Sequence, residues 1–269
     1  MPDTGPECFQ AHRLFDDDPP ETLILAAHPD DEVIGAAGAL MRLRTRASVV
    51  HVTDGAPRNL EDAVRAGFST AEGYARARRR ESQEALSLVE GVKLLDNLEI
   101  PDQSACRRLP ELVLRLIDLL KATRPAVVLT HAFEGGHPDH DAVAFAASYA
   151  TRTCGVPLLE MSGYFDDGHG LATGRFARSD GPAFIHHLTP GEATLKQRML
   201  ACFRTQAETL AQFGTRVECY RPAPAYDFAR PPNDGRAFYD RFNWGLRSAE
   251  WPELVTEALQ QLGVAASIP

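Results

Sequence analysis

The sequence predicts an α/β protein, a mostly parallel sheet between two layers of helices with an irregular carboxyl-terminal portion. Three observations carry that prediction. Short apolar runs, several of them β-branched, alternate with longer helix-forming stretches from Thr22 to Thr151, the pattern of strands joined by crossover helices. Two of the apolar runs empty into His-Pro-Asp, once at His28-Pro29-Asp30 and again at His137-Pro138-Asp139. The chain of 269 residues is 44% hydrophobic and 24% charged, a balance that fills a globular core.

Taken in order, residues 1–20 are rich in Pro and Asp and read as an irregular leader. Thr22–Ala27 is the first strand, apolar and stopped by polar residues and Pro29. Pro29 suits the first position of the next helix, where its missing N–H is no loss, and that helix runs from Val33 to about Arg46. Gly35, Ala36, Ala37, Gly38 and Ala39 give it a small face for close packing on a sheet. Ser48–Thr53 is the second strand, ending at Asp54-Gly55. From Arg58 to Thr70 there is no period, which predicts a surface loop overhanging a pocket.

Ala71–Val89 is helical, Val92–Leu95 is a third strand, and Leu109–Ala122 is amphipathic with Leu112, Leu116, Leu119 and Leu120 on one side. A strand at Ala126–Thr130 and a helix from about His140 to Thr151 complete the repeating part. If the first three strands run outward as 3-2-1, the fourth returns beside strand one, and a topological switch point opens between them. Later on, Leu158–Met161 and Phe184–Leu188 read as strands and Gly163–Gly181 as a loop. Thr189 and Pro190 open a helix that runs to about Ala211, residues 216–250 show no period, and Glu253–Leu262 is a terminal helix. No domain boundary stands out. A single domain over 1–269 is expected, with a core at about 20–155 and pocket-shaping elements at about 156–269.

The formal charge of -9 argues against a nucleic-acid surface, which needs a basic face. Five scattered cysteines without a CxxC pair fit reduced thiols. Met1–Gly5 lacks a basic region leading into an apolar core, and no apolar run approaches the roughly 20 residues of a membrane span. A cytoplasmic protein is expected, and a homo-oligomer is compatible with the sequence.

Both His-Pro-Asp segments follow a buried strand and precede a small-residue helix. Neutral imidazole with carboxylate is a ligand set zinc uses at catalytic sites, three protein ligands leaving one position for water. His28 and Asp31, three apart at a helix start, can face one way. His140 then arrives from the other strand as the third ligand.

The segments Ala27-His28-Pro29-Asp30-Asp31-Glu32 and His137-Pro138-Asp139-His140, in their strand contexts, resemble the LmbE / PIG-L family of zinc-dependent de-N-acetylases. The similarity covers about residues 20–150 and continues faintly through Lys196, Phe203 and Gln206. It implies a Rossmann-like core, with Zn2+ on His28, Asp31 and His140 and Asp30 as general base. His137 is implied as the second catalytic group, oriented by Asp139. The substrate so implied is an N-acetylated amino sugar such as an N-acetylglucosamine conjugate, deacetylated through a zinc-bound water. The chemistry is consistent: zinc brings the pKa of bound water to roughly 7, Asp30 can take its proton, and a cationic His137 can stabilise the oxyanion or protonate the leaving amine.

For sugar binding the resemblance points to an arginine just before Glu81, which leaves Arg78 or Arg79, and to Asp102. Some family members carry a tyrosine beside the catalytic histidine of the second loop, where this chain has Glu134 and Gly135. Either motif alone is as readily a loop histidine beside a helix cap; two in order, each after a strand, make the stronger signal. His131 reads as a sheet-end residue rather than a ligand; His186 and His187 alternate across a strand, so that one of them points into the core or pocket, and neither reads as a ligand. Asp54 reads as support for the zinc shell or the start of a turn. Two alternatives stay open, a family amidase cutting a larger amide and a catalytically silent α/β metal-binding module. A nucleotide-binding reading lacks any GxGxxG or P-loop.

Overall fold

A computed structural model describes residues 9–179 and 181–263. The expectations for residues 1–8, including the absence of a leader signal and the state of Cys8, lie outside the described residues. The elements run β1 Thr22–Ala26, α1 Asp31–Leu43, β2 Ala47–His51, α2 Glu61–Arg65, α3 Ala71–Ser87 and β3 Lys93–Leu94. They continue with α4 Leu109–Thr123, β4 Val127–His131, α5 Pro138–Cys154, β5 Leu158–Met161, β6 Tyr164–Asp166, β7 Leu171–Thr173 and β8 Phe184–His187. The chain then forms α6 Pro190–Leu200, α7 Ala207–Leu210, β9 Val217–Pro222 and α8 Trp251–Gln261.

Among the described residues the main sheet has seven strands in the order β3-β2-β1-β4-β5-β9-β8. The first five are parallel, and β9 pairs antiparallel with both β5 and β8. The expected 3-2-1-4 order therefore holds, with the switch point between β1 and β4. Both faces of β1 are buried, which is why it reads as an unbroken apolar run. Leu23 and Leu25 join the core under α4, α5 and α8, while Ile24 points to the core with α1, α3 and α6.

Local chemistry explains the element ends. Thr189 and Glu192 form a reciprocal capping box at the start of α6. Gly155 ends α5 in the left-handed conformation at φ 68°.

Four expectations are corrected. The unpatterned stretch 58–70 holds the short helix α2, entered through Leu60 at φ 64°. The glycine-rich stretch 163–181 holds the β6–β7 hairpin. The helix expected to reach Ala211 stops at Leu200, and the chain resumes with a 3-10 turn at Arg204–Gln206 and then α7. Finally, 216–250 contains β9, an inner strand of the sheet. Its polar residues Glu218 and Arg221 are each 1% exposed, because each is buried in an ion pair that hides the strand from a hydropathy reading.

Candidate active site

The two His-Pro-Asp loops leave the carboxyl ends of β1 and β4 and are tied where they emerge. Ala27 N–H donates to His131 Nε2 at 2.9 Å. That bond occupies the His131 nitrogen, in keeping with its reading as a sheet-end residue. The helix that follows begins at Asp31, two residues after the position expected from Pro29: Asp30 caps α1 with φ 140° and ψ −26°, a strained conformation for a side-chain-bearing residue.

His28 stands at the centre. Its Nδ1 lies 3.1 Å from Asp31 Oδ2 and 3.3 Å from His140 Nε2, and His140 Nε2 is 3.2 Å from Asp31 Oδ1. Its other nitrogen, Nε2, faces Asp102 Oδ1 at 3.1 Å and Asp139 Oδ2 at 3.3 Å. The side chains of His28, Asp31 and His140 thus offer ligand atoms within 4.8 Å of one another, and so do those of His28, Asp102, His137 and Asp139. The two groupings share His28 through opposite ring nitrogens.

The donor chemistry suits a divalent cation in the first grouping. Two imidazoles and a carboxylate match a zinc set with an open position, and the carboxylates behind His28 Nε2 supply the outer partner that ligating histidines commonly have. Asp30, Asp31, Glu32, Asp102 and Asp139 are all buried here, with Arg78 as their buried arginine. Uncompensated carboxylates are costly at such depth, so a cation would relieve the imbalance. Histidine contacts hold Asp31 ionised: burial alone would raise its pKa, but His140, His131 and the hydrogen bonds from His140 and His28 bring it well below the usual range.

Asp30 stays outside that trio. Its Oδ2 accepts from Arg78 Nη2 at 2.8 Å, while Arg78 also donates to the carbonyls of Gly55 at 2.6 Å and Pro29 at 3.1 Å. Burial pushes the Asp30 carboxyl up to about 7, against the downward pull of Arg78. Arg78 is therefore the inward member of the 78–80 cluster. Arg79 is corrected: it turns to Asp96 at 3.3 Å and is not part of the cavity wall. The register of α3 decides this, because successive residues on a helix point about 100° apart.

Asp102 lies against His28, 3.8 Å from both His137 Nε2 and Arg78 Nη1. Burial would raise its pKa, but His28, His137 and Arg78 hold it well below the usual range. Asp102, expected to bind sugar hydroxyls, both faces His28 and lines the cavity. Asp54 starts a turn, accepting from Ala56 N–H at 3.0 Å, and also accepts from Asp102 N–H at 3.3 Å.

His137 caps α5, with Pro138 at the first helical position. The expectation that the Asp139 carboxylate orients it is corrected. Asp139 Oδ2 is 3.9 Å from His137 Nδ1, and that nitrogen accepts from the Asp139 N–H at 3.1 Å. The carboxylate is engaged elsewhere, accepting from Gln103 N–H at 2.6 Å and Ala105 N–H at 2.9 Å. With Nδ1 an acceptor, the ring carries its proton on Nε2. Burial and the neighbouring His28 also push its pKa well below the ordinary histidine value.

These groups open on a cavity of about 840 Å³, walled also by Tyr74, Tyr164, Gln206 and Trp244. The stretch around α2 overhangs it, as expected, through Glu61, Asp62 and Arg65. Three contributors were given no role by the sequence. Glu32 binds His51 Nε2 at 3.0 Å, Ser82 Oγ at 3.1 Å and Asp30 N–H at 3.2 Å, bracing the strained turn. Glu81 accepts from Thr205 Oγ1 at 2.6 Å and so holds the 204–206 turn over the cavity. Tyr164 stacks edge-on to His140 at 5.2 Å. His186 is remote, stacked on Phe15 at 4.3 Å, and His187 is exposed.

The family model PIG-L, described as GlcNAc-PI de-N-acetylase, matches residues 23–151. The fold is similar to a teicoplanin deacetylase in complex with teicoplanin, at 17% identity and TM-score 0.61 over 77% of this chain and 99% of that one. It is also similar to the N,N'-diacetylchitobiose deacetylase of Pyrococcus horikoshii, at 18% identity and TM-score 0.52 over 75% and 79%. A third similar structure is GalB, the 4-carboxy-2-hydroxymuconate hydratase of Pseudomonas putida KT2440, at 16% identity and TM-score 0.52 over 77% and 97%. At such identities these likenesses establish the α/β fold, and the family match locates its centre: residues 23–151, which carry both His-Pro-Asp loops, form a PIG-L family domain.

Proposed function

We propose that this cavity removes the N-acetyl group from an N-acetylated amino sugar or its glycoconjugate, with zinc held by His28, Asp31 and His140. One observation carries the reading. Three donors from two loops converge at the β1–β4 switch point, while Asp30, buried and ionisable near neutrality, stands beside them without belonging to the trio. A site kept only for stability has no use for that extra carboxylate, which argues against a silent metal-binding module.

When bound, zinc would polarise the acetamide carbonyl and make a water acidic enough to attack at neutral pH. Asp30 takes the proton from the attacking water as the new C–O bond forms, and Arg78 keeps it aimed and available as the carboxylate. His137 presents Nε2–H to the cavity, fixed by its bond at Nδ1, and stabilises the developing negative oxygen as a neutral donor. The C–N bond then breaks, the amine takes up the proton that Asp30 received, and acetate and the free amino compound leave. Asp139 acts through its grip on the 103–105 turn and its contact with His28. Asp102 and Arg78 line the substrate side of the cavity.

The second reading, an amidase for a larger amide conjugate, is favoured by cavity size. A volume of about 840 Å³ is in the upper part of the range for small-molecule sites. The deacetylases among the similar structures support acetyl removal, and the hydratase GalB marks the competing chemistry. A reducing, cytoplasmic setting fits the free thiols of Cys106, Cys154, Cys202 and Cys219. The deciding experiment incubates the zinc-loaded protein with a panel of N-acetylated sugars and conjugates, with and without chelator. Release of free amine that chelator abolishes supports the proposal; consumption of substrate without amine would replace hydrolysis with another reaction.

A further inference from the structure

Helix α1 carries Asp31 and Glu32 in its first turn, and it is not continuous. Ala36 departs from helical geometry at φ −141° and ψ 23°, splitting the element into a short leading turn and a longer trailing segment. In a regular helix the Gly38 N–H would donate to the Ile34 carbonyl. Here each of those groups meets a side chain from far along the chain. Ile34 C=O accepts from Lys196 Nζ at 2.7 Å, and Gly38 N–H donates to Glu218 Oε2 at 2.9 Å. Lys196 Nζ in turn donates to Glu218 Oε1 at 2.7 Å.

The path Ile34 C=O, Lys196, Glu218, Gly38 N–H is therefore closed. We infer that the Lys196–Glu218 ion pair is a splice in the broken rung of α1, setting the angle at which the leading turn presents Asp30 and Asp31 to the cavity. This rests on the metal-site reading above. Kinks form where a side chain enters the i→i−4 ladder, and here both partners of an ion pair enter it. Lys196 is 0% exposed and Glu218 1%, and Tyr220 Oη donates to Glu218 Oε2 at 2.5 Å, so the pair is satisfied on all sides. A pair at that depth is seldom the best packing for stability alone.

The surroundings match. A Cβ at Gly38 would lie 2.7 Å from the His186 ring and 2.9 Å from Glu218, and one at Gly35 would lie 2.8 Å from Met161 Sδ. The small residues of α1 thus admit the splice and its neighbours. Ile34, whose carbonyl it holds, also forms part of the cavity wall. Lys196 and Glu218 touch no reacting atom in this scheme; they are positioning residues.

The test compares Lys196→Met with Val255→Ala, a core substitution in α8 on the opposite face of the sheet, by zinc titration against a competing chelator and by amide exchange of Gly38. Lys196→Met should weaken zinc at least tenfold and speed Gly38 exchange while residues 39–43 stay protected. Val255→Ala should do neither at a comparable loss of Tm. Wild-type zinc affinity together with wild-type Gly38 exchange in Lys196→Met would overturn the inference. If Lys196→Met does not fold, Glu218→Gln, which keeps an acceptor for Gly38 and removes the charge, is read for zinc affinity by the same standard. A wild-type protein that binds no zinc would sink the metal-site reading instead. Gly38 exchange, which needs no metal, would then judge the splice alone: accelerated in Lys196→Met it stands, unchanged it falls.

Discussion

Arg78 Nη2 and Asp30 Oδ2 meet at 2.8 Å between side chains that are each 6% exposed, one from α3 and the other from the strained turn before α1. The contact opposes two effects on one carboxyl. Burial raises its pKa and the guanidinium pulls it down, for a net rise to about 7, so the carboxyl is poised near neutrality only while the arginine is present.

The pH dependence follows from that opposition. A base must be ionised to accept a proton, so kcat/KM should rise with pH through about 7 and level off above it. Arg78→Gln removes the group that lowers the Asp30 pKa, and the rising limb should move to higher pH. Profiles of both proteins check this; a limb that stays in place in Arg78→Gln would assign it to another group.

Zinc binding should release a proton. Burial lowers the His28 pKa, but Asp102 and the contacts with Asp139 and Asp31 more than offset it, leaving it well above the ordinary value. Without metal His28 thus favours the protonated form, and ligation must displace that proton. Affinity should then fall as pH falls. Calorimetry in buffers of different ionisation enthalpy measures the release, and a value of zero at pH 7 would remove His28 from the ligand set.

Side-chain removal should separate ligand from base. His28→Ala, Asp31→Ala and His140→Ala should each lose zinc on dialysis, whereas Asp30→Asn should keep it. Turnover of Asp30→Asn should drop by about 10²–10⁴-fold, the usual worth of a positioned base. Full metal content in His140→Ala would contradict the assignment of ligands.

Gly136→Ala should damage the second loop. Its Cβ would lie 2.2 Å from the Tyr164 carbonyl oxygen, a backbone atom that cannot swing aside. Overpacking of this kind costs about 1–3 kcal/mol, and His137 follows immediately in the chain. A lower urea midpoint and reduced kcat are expected; unchanged values in both would mean the loop yields freely.

Asp139→Ala should cost stability as well as activity. The carboxylate is the acceptor for the Gln103 and Ala105 amides, and each buried donor left unpaired costs about 1–3 kcal/mol. Chemical denaturation measures the loss. Asp139→Asn, which retains one acceptor oxygen, should recover part of it.

Much of this was legible in the chain because β1 and β4 are buried on both faces, and β2 nearly so, and these strands advertise themselves as apolar runs. The switch point follows from their order, and His28, Asp31 and His140 follow from their places at the ends of β1 and β4. The β6–β7 hairpin and β9 were not legible. In β9, Glu218 and Arg221 occupy core positions by pairing with Lys196 and Glu160, which no hydropathy pattern can anticipate. Arg78 and Arg79 are indistinguishable in composition, and only the rotation of α3 against the sheet sends one to Asp30 and the other to Asp96.

The sequence by itself determined the parallel α/β core and the two loops that carry the imidazoles and carboxylates, because strand burial and helix starts are local properties of short runs. Tertiary structure alone decided the neutral tautomer of His137, the strain at Asp30 and the closure of the Ala36 break by Lys196 and Glu218. Each of these depends on which group from a distant segment reaches a given atom, and that is settled only when the layers pack.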